Sequence, residues 1–397
     1  MDSMKQKIAI VYTQFGEGGI SSALAALLRE IADDKGLDIT LYLFSKENGS
    51  RFSIPENVKI IEPSDVLRVW FSQKENCRGL EKLYWYIMHF IGLKISMKPI
   101  ENTLKRIKPY EEYDVAIAYS NDINSKCYLN LFCNDFVEKC IIAKKKIGWT
   151  HNDPYRLGYN ADFLKWRYKN YDTIVNVSRA CKKKFDEIAP FYTDKSAVVH
   201  NCVYERPIEG AVKKKSEKDG LFHIVSVSRI DNNQKRIDRA IEATKYLKEK
   251  GYQNKIIWHM FGSGPDEKKL RSYVSECGVD DMFVFQGSTG NPVKEMAEAD
   301  LFAMTSDYEA CSLTLIESLV AGTPVLVTDF PEAREAIVDG KSGFIVEKSP
   351  DAVGDMIIEV YENRKKLNDC KQYISDHPVT NEQAVNEFYE VVLGEQR

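Results

Sequence analysis

Short apolar runs rich in Val, Ile and Phe alternate along nearly the whole chain with stretches whose apolar residues recur every three to four positions. The first class predicts buried strands and the second predicts helices that cover them. In the first half, strands are expected at 7–13, 39–44, 58–61, 114–119, 145–150, 173–177 and 197–200. Helices are expected between them at 20–34, 80–92, 98–107, 123–133, 161–169 and 179–188, with 66–99 the least regular stretch. The second half repeats the scheme, with strands at 222–227, 255–260, 282–286, 301–305, 324–328 and 343–346, each followed by a helical segment. Such alternation builds parallel sheets with helices on both faces, so two doubly wound α/β domains are expected. Residues 206–220 (RPIEGAVKKKSEKDG) are polar, contain Pro207, Gly210 and Gly220, and follow neither period, which is linker composition. The expected division is therefore 1–205 and 206–375, followed by a terminal helix over 376–397. That helix has an apolar face through Ala384, Val385, Phe388, Tyr389 and Val392, so it needs a partner surface and is expected to return to the first domain.

A length of 397 residues suits two hydrophobic cores rather than one, and a chain that is 44% hydrophobic and 29% charged has ordinary globular composition. The longest apolar-rich run, Tyr84 to Leu93, is too short to cross a bilayer. The first residues lead into a strand without a charged start, apolar core and cleavage site, so a cytoplasmic location is expected. Nine cysteines without a Cys-x-x-Cys pair give no sign of a disulfide framework or a metal site. Net charge is −4, but unevenly distributed: residues 1–205 hold 30 Lys and Arg against 26 Asp and Glu, and the remainder 25 against 33. Between Lys139 and Lys184 the balance is 12 to 3, which points to an anionic partner or to ordinary solvated faces. With Lys144-Lys145-Lys146, Lys182-Lys183-Lys184 and the aromatic stretch Tyr84-Trp85-Tyr86 and Phe90, an anionic membrane surface becomes a candidate partner at the inner face of the cell membrane. Nothing points to nucleic acid.

Chemistry concentrates in Glu309-Ala310-Cys311-Ser312-Leu313-Thr314-Leu315-Ile316-Glu317, which follows a strand and runs into a helix. Glu309 falls in the loop and Glu317 in the helix, and the amides of Ser312, Leu313, Thr314 and Leu315 lie where a helix start favours phosphate oxygens. Carboxylates there suit sugar hydroxyls, although spacing alone also allows two ordinary charges near a helix start. Gly16, Gly18 and Gly19 follow the first strand, where a tight turn lets amides approach an anion. Arg229 and Lys235 flank the turn Asp231-Asn232-Asn233 after the first strand of the second half, where fixed cations would stabilise a leaving diphosphate or simply decorate the surface. No side chain stands out as a nucleophile, and no Asp-x-Asp at a strand end suggests a metal-bound diphosphate.

The stretch YEACSLTLIESLVAGTPVLVTDFPEAREAIVDGKSGFIV (308–346) resembles the two-glutamate signature of retaining GT-B glycosyltransferases, family four, the group 1 type. The remaining landmarks follow in that family's order: Gly16-Glu17-Gly18-Gly19, Thr150-His151-Asn152-Asp153, His200-Asn201, Ser228-Arg229 with Gln234-Lys235-Arg236, Gly262-Ser263-Gly264-Pro265 and Phe285-Gln286-Gly287. The sequence departs from the pattern at Ala310, Cys311 and Ser312, and at Arg236, where glycine is familiar. The resemblance implies two Rossmann-like domains facing a cleft. It implies a catalytic set of His151, Glu309, Arg229 and Lys235. Donor contacts are implied at Gly18, Gly19, Gly262, Ser288, Thr289, Asn291, Cys311, Ser312, Leu313, Thr314 and Glu317, with no metal and no cofactor. The implied reaction moves a hexose-type sugar from a nucleotide-diphosphate sugar to a glycan or lipid-linked glycan with retention, in bacterial surface polysaccharide synthesis. A UDP-sugar is expected over a GDP-sugar. A non-catalytic acceptor-binding subunit, a sugar phosphorylase and an epimerase on the same fold are the alternatives.

Overall fold

A computed structural model of the chain describes residues 5–16, 18–46, 51–63, 77–94, 110–124, 133–204 and 214–395, with 98, 102, 104, 106 and 107. It divides into two compact units, Met1–Tyr204 with Asn381–Arg397, and Glu205–Thr380. Most of the expected linker, 205–213, lies outside the described residues, as do Glu17 and most of the helices expected at 98–107 and 123–133.

In the first unit the chain runs through β1 (Gln6–Phe15), α1 (Gly19–Ile31), β2 (Leu37–Lys46), β3 (Lys59–Ile61), α2 (Leu80–Lys94), β4 (Glu112–Ala118), α3 (Cys133–Cys140), β5 (Ile142–Thr150), α4 (Ala161–Tyr168), β6 (Thr173–Asn176), α5 (Arg179–Ile188) and β7 (Ser196–Val198). The strands form one sheet in the order β3-β2-β1-β4-β5-β6-β7, parallel throughout. β1 is central, and Ile8 through Tyr12 are buried in unbroken succession, as a strand covered on both faces requires. Tyr42, Phe44 and Phe136 pack beside it, and the Tyr42 and Tyr113 hydroxyls share a 2.9 Å hydrogen bond.

The second unit contains β8 (Phe222–Val227), α6 (Ile237–Glu249), β9 (Ile256–Phe261), α7 (Glu267–Glu276), β10 (Phe283–Gly287), α8 (Pro292–Glu298), β11 (Leu301–Met304), α9 (Leu313–Val320), β12 (Val325–Thr328), β13 (Gly343–Val346), α10 (Pro350–Glu362) and α11 (Arg364–Asp376). Its sheet order, β10-β9-β8-β11-β12-β13, turns outward on each side of β8 and places the point of reversal between β8 and β11. Alternation along the strands splits the core in two. Phe302, Met304, Val325 and Val327 join Leu315 and Leu319 of α9 on one face, while Leu301, Ala303 and Leu326 join Trp258 and Ile241 on the other.

The return to the first unit begins at Asn381, a few residues beyond the expected 376, because α11 continues through Asp376. α12 (Glu382–Phe388) then docks there. Glu387 accepts from the His200 backbone N–H at 2.8 Å and meets its Nδ1, Asn381 bridges Val203 and Glu30, and Lys145 Nζ donates to the Val391 carbonyl at 2.7 Å.

Candidate active site

The reversal of strand order in the second unit leaves the chain ends after β8 and β11 side by side, the position where doubly wound sheets take ligands. After β8, Asp231 caps a single helical turn, Asn232–Lys235, and Arg236 then adopts the left-handed conformation at φ 48 before α6 begins. A side chain is strained in that conformation, and the loop after β11 supplies what holds it. Thr305 Oγ1 donates to the carbonyls of Lys235 and Arg236 at 3.2 and 2.9 Å. Asp307 accepts from Arg236 and Arg239 at 3.1 and 2.7 Å, and its backbone N–H bonds to Gln234. Burial raises the Asp307 pKa, but the two guanidinium groups outweigh it and hold the carboxyl below the usual range.

Onto this laced frame the loop presents Glu309, which is buried. Its Oε1 accepts from Lys235 Nζ at 2.6 Å and Ser306 Oγ at 2.7 Å, and Oε2 accepts from Gln234 Nε2 at 3.0 Å. Three of the roughly four acceptor positions of a carboxylate are thus occupied, leaving one on Oε2. Lys235 is the mostly buried partner of this ion pair. Arg229 is not held with it: its side chain is 64% exposed and pairs with Asp231 at 2.7 Å. The two cations thus have different partners, Lys235 with Glu309 and Arg229 with Asp231.

α9 starts at Leu313, with Ser312 as its N-terminal flanking residue. The Ser312 hydroxyl contacts Met304 Sδ at 3.3 Å and caps no amide, so Ser312 leaves the amides of Leu313 and Thr314 uncapped by its side chain. Glu317 is buried in the second turn of this helix, and Cys311 is half-buried before it. Gly262 is a packing position: at φ 138, an added Cβ would lie 1.9 Å from the Ser228 carbonyl oxygen, so only glycine lets the strand end pass the 228–230 segment. Gly264 meets Ile230 in the same way. Ser288 is exposed with its hydroxyl 3.3 Å from that of Ser263, Thr289 accepts from the Asn291 amide, and Asn291 caps α8.

In the first unit, Gly18 flanks the start of α1 and Gly19 opens it; both are exposed, and the Gly16 amide donates to Ser21 Oγ at 3.1 Å. His151, just past β5, is buried between Tyr119 and Trp149, and neither ring nitrogen has a hydrogen-bond partner among the described residues. Burial pushes its pKa down to about 3, so it is neutral at physiological pH. Asn121 Oδ1 accepts the His151 amide at 3.2 Å. Asp153 makes a local turn with the amides of Tyr155 and Arg156 and an ion pair with Lys184.

Sequence reasoning named Gln234 only as part of a landmark and gave no role to it or to Ser306, Asp307 and Arg239, whose contacts depend on two loops meeting. The signal it had was Asp307 two residues before Glu309. Among the described residues, no group of three or more His, Cys, Asp or Glu could hold a metal ion.

Residues 208–377, nearly all of the second unit, match the model of the family described as glycosyl transferases group 1. The chain is 25% identical over 315 residues to the poly(glycerol-phosphate) alpha-glucosyltransferase of Bacillus subtilis (strain 168), covering 75% of this chain and 43% of that protein. It is 31% identical over 136 residues to the putative colanic acid biosynthesis glycosyltransferase WcaL of Escherichia coli (strain K12), covering 32% and 33%. The chain spans less than half the length of either relative. Among solved structures, Anabaena Alr3699/HepE in complex with UDP-glucose superposes with a TM-score of 0.65 at 13% identity, covering 98% of this chain and all of that one. A variant of S. aureus TarM in complex with Fondaparinux, alpha-GlcNAc-glycerol and UDP gives 0.67 at 14%, covering 98% and 99%. The chain therefore has the GT-B fold, and its second unit carries the glycosyl transferases group 1 model.

Proposed function

We propose that the chain is a retaining glycosyltransferase that moves a hexose-type sugar from a UDP-sugar to a glycan or lipid-linked glycan in bacterial surface polysaccharide synthesis. The observation that carries this reading is the Lys235–Glu309 pair, held by Ser306 and Gln234 beside the start of α9 within the segment that matches the family model. Lys235 keeps donors beyond the one given to Glu309, and these serve the phosphate that leaves. The remaining acceptor position on Glu309 takes a sugar hydroxyl, and Glu317 on α9 takes the ribose. Arg229, exposed on its turn, adds a second cation to the diphosphate. The bond from the anomeric carbon to phosphate breaks as the acceptor oxygen attacks from the same face. The acceptor proton passes to the departing phosphate, so no protein nucleophile is needed. Neutral His151 donates one hydrogen bond and accepts another at the sugar or the acceptor, and does not act as an acid. UDP is preferred because HepE forms a complex with UDP-glucose and TarM one with UDP, and the polysaccharide setting because WcaL belongs to colanic acid biosynthesis.

A thermal-shift panel of UDP, GDP, ADP, CMP and their sugars tests the reading, because a ligand that binds the native state raises its melting temperature. UDP and a UDP-sugar should give the largest shifts, and Glu317→Ala should reduce the shift with UDP itself. No shift with any nucleotide would favour a non-catalytic subunit, and an unchanged UDP shift in Glu317→Ala would remove the ribose assignment.

A further inference from the structure

Most of the lysines that first suggested an anionic partner are engaged locally. Lys144 pairs with Asp114, Lys145 donates to carbonyls of the C-terminal segment, Lys146 donates to the Glu138 carbonyl, and Lys182 and Lys184 pair with Asp186 and Asp153. The first unit instead exposes an apolar stripe on α2. Leu80 is 84% exposed, Phe90 62% and Leu83 56%, with Tyr86 and Ile87 close behind. Their spacing, at 80, 83, 86, 87 and 90, places all five on one side of a helix about 22 Å long. Tyr84 and Met88, on the other side, pack against the core of the unit. Trp85 stacks on His89, and both are only half-exposed, so the aromatic face differs from the one the sequence suggested.

We propose that this face of α2 is a membrane-docking surface that lays Leu83, Tyr86, Ile87 and Phe90 into the headgroup boundary of an anionic bilayer. The charge along the chain identifies the occupant. From Arg78 to Lys108 the sequence has seven Lys and Arg and only two acids, Glu81 and Glu101, in a chain whose net charge is −4. Arg78 and Lys82 are exposed at the start of this helix, and a second copy seated on the stripe would add like charge to them. An anionic lipid surface attracts each cation by about 1 kcal/mol and accepts the apolar stripe without a matching groove. The helix lies in the interface, since no helix of the described residues is long and apolar enough to cross a membrane. The stripe belongs to the first unit and the Lys235–Glu309 pair to the second, so the proposal stands or falls independently of the catalytic reading.

Flotation of the full chain with vesicles of equimolar phosphatidylglycerol and phosphatidylcholine tests the proposal, against phosphatidylcholine alone and at low and high salt. The chain should float with the anionic vesicles at low salt, and high salt or neutral vesicles should release it. Leu83→Ser with Phe90→Ser should abolish flotation while leaving the melting temperature and the UDP shift unchanged, because both side chains project away from the core. Arg78→Glu with Lys82→Glu should reduce it, and Lys144→Glu with Lys182→Glu should not. Wild-type protein that stays at the bottom with anionic vesicles overturns the proposal, and so does a serine double variant that still floats. A dimer seen by light scattering in the wild type and lost in that variant would make the stripe a self-interface and also overturn it.

Discussion

Glu309 and Lys235 illustrate how far two residues can be understood apart. Each is marked by position in the sequence, one as a sugar ligand and the other as a phosphate ligand, yet in the fold they are first partners of one another. Removing one leaves the other mostly buried without its counter-charge, which costs roughly 1–3 kcal/mol. Glu309→Ala should therefore lower stability as well as turnover. Adding Lys235→Met to it should restore part of the stability and none of the turnover, with a coupling of roughly 0.5–3 kcal/mol in a double-mutant cycle by chemical denaturation. Strictly additive losses would mean that the pair contributes nothing to the fold. Arg229 behaves differently: it was as legible in sequence as Lys235, but its exposure and its pairing with Asp231 were not.

At the scale of elements, the loops after β8 and β11 form one unit. Thr305 holds the carbonyls of Lys235 and Arg236, and Asp307 holds the guanidinium groups of Arg236 and Arg239. This explains how Arg236 occupies a left-handed position where the resembling family favours glycine: the backbone keeps the glycine conformation, and ion pairs to Asp238 and Asp307 fix the side chain. The end of β9 buttresses the same loop from beneath through Gly262. Gly262→Ala would force a Cβ into the Ser228 carbonyl, and the shift should cost roughly 1–3 kcal/mol and weaken nucleotide binding. A urea midpoint equal to wild type would show that the segment moves freely. The glycine was legible as a landmark, but its packing role was not, since the contact joins residues 34 positions apart in sequence.

For the molecule as a whole, the buried neutral His151 predicts how stability responds to acid. Its pKa falls from 6.5 to about 3 on folding, so between those values the unfolded chain binds a proton that the folded chain refuses. Stability should be unaffected by this group above pH 6.5 and fall as the pH drops below it, by at most about 1.4 kcal/mol per pH unit. His151→Asn should flatten the profile of unfolding free energy between pH 6 and about 4. An identical slope in wild type and variant would assign the acid sensitivity elsewhere. The C-terminal segment supplies one such contribution. Burial raises the Glu387 pKa, but its bonds to His200 outweigh this and hold it below the usual value, so that contact is complete above about pH 4.5 and is lost as pH falls through the lowered value.

The sequence by itself determined the thirteen strands found among the described residues and the two parallel sheets, and it marked the segments that carry Lys235 and Glu309, because the period of apolar residues and the residues punctuating it are local properties. It also marked the apolar face of the last helix. Tertiary structure alone decided which charges meet. The pairing of Lys235 with Glu309, the bridging of Arg236 and Arg239 by Asp307, the burial of His151 and the exposed face of α2 all depend on segments brought together from about 30 residues apart or more, or on which side of a helix the core covers. Periodicity names a helix with an apolar stripe, as in α2, but burial depends on the partner surface. Here the core takes Tyr84 and Met88 and leaves Leu83 and Phe90 outside.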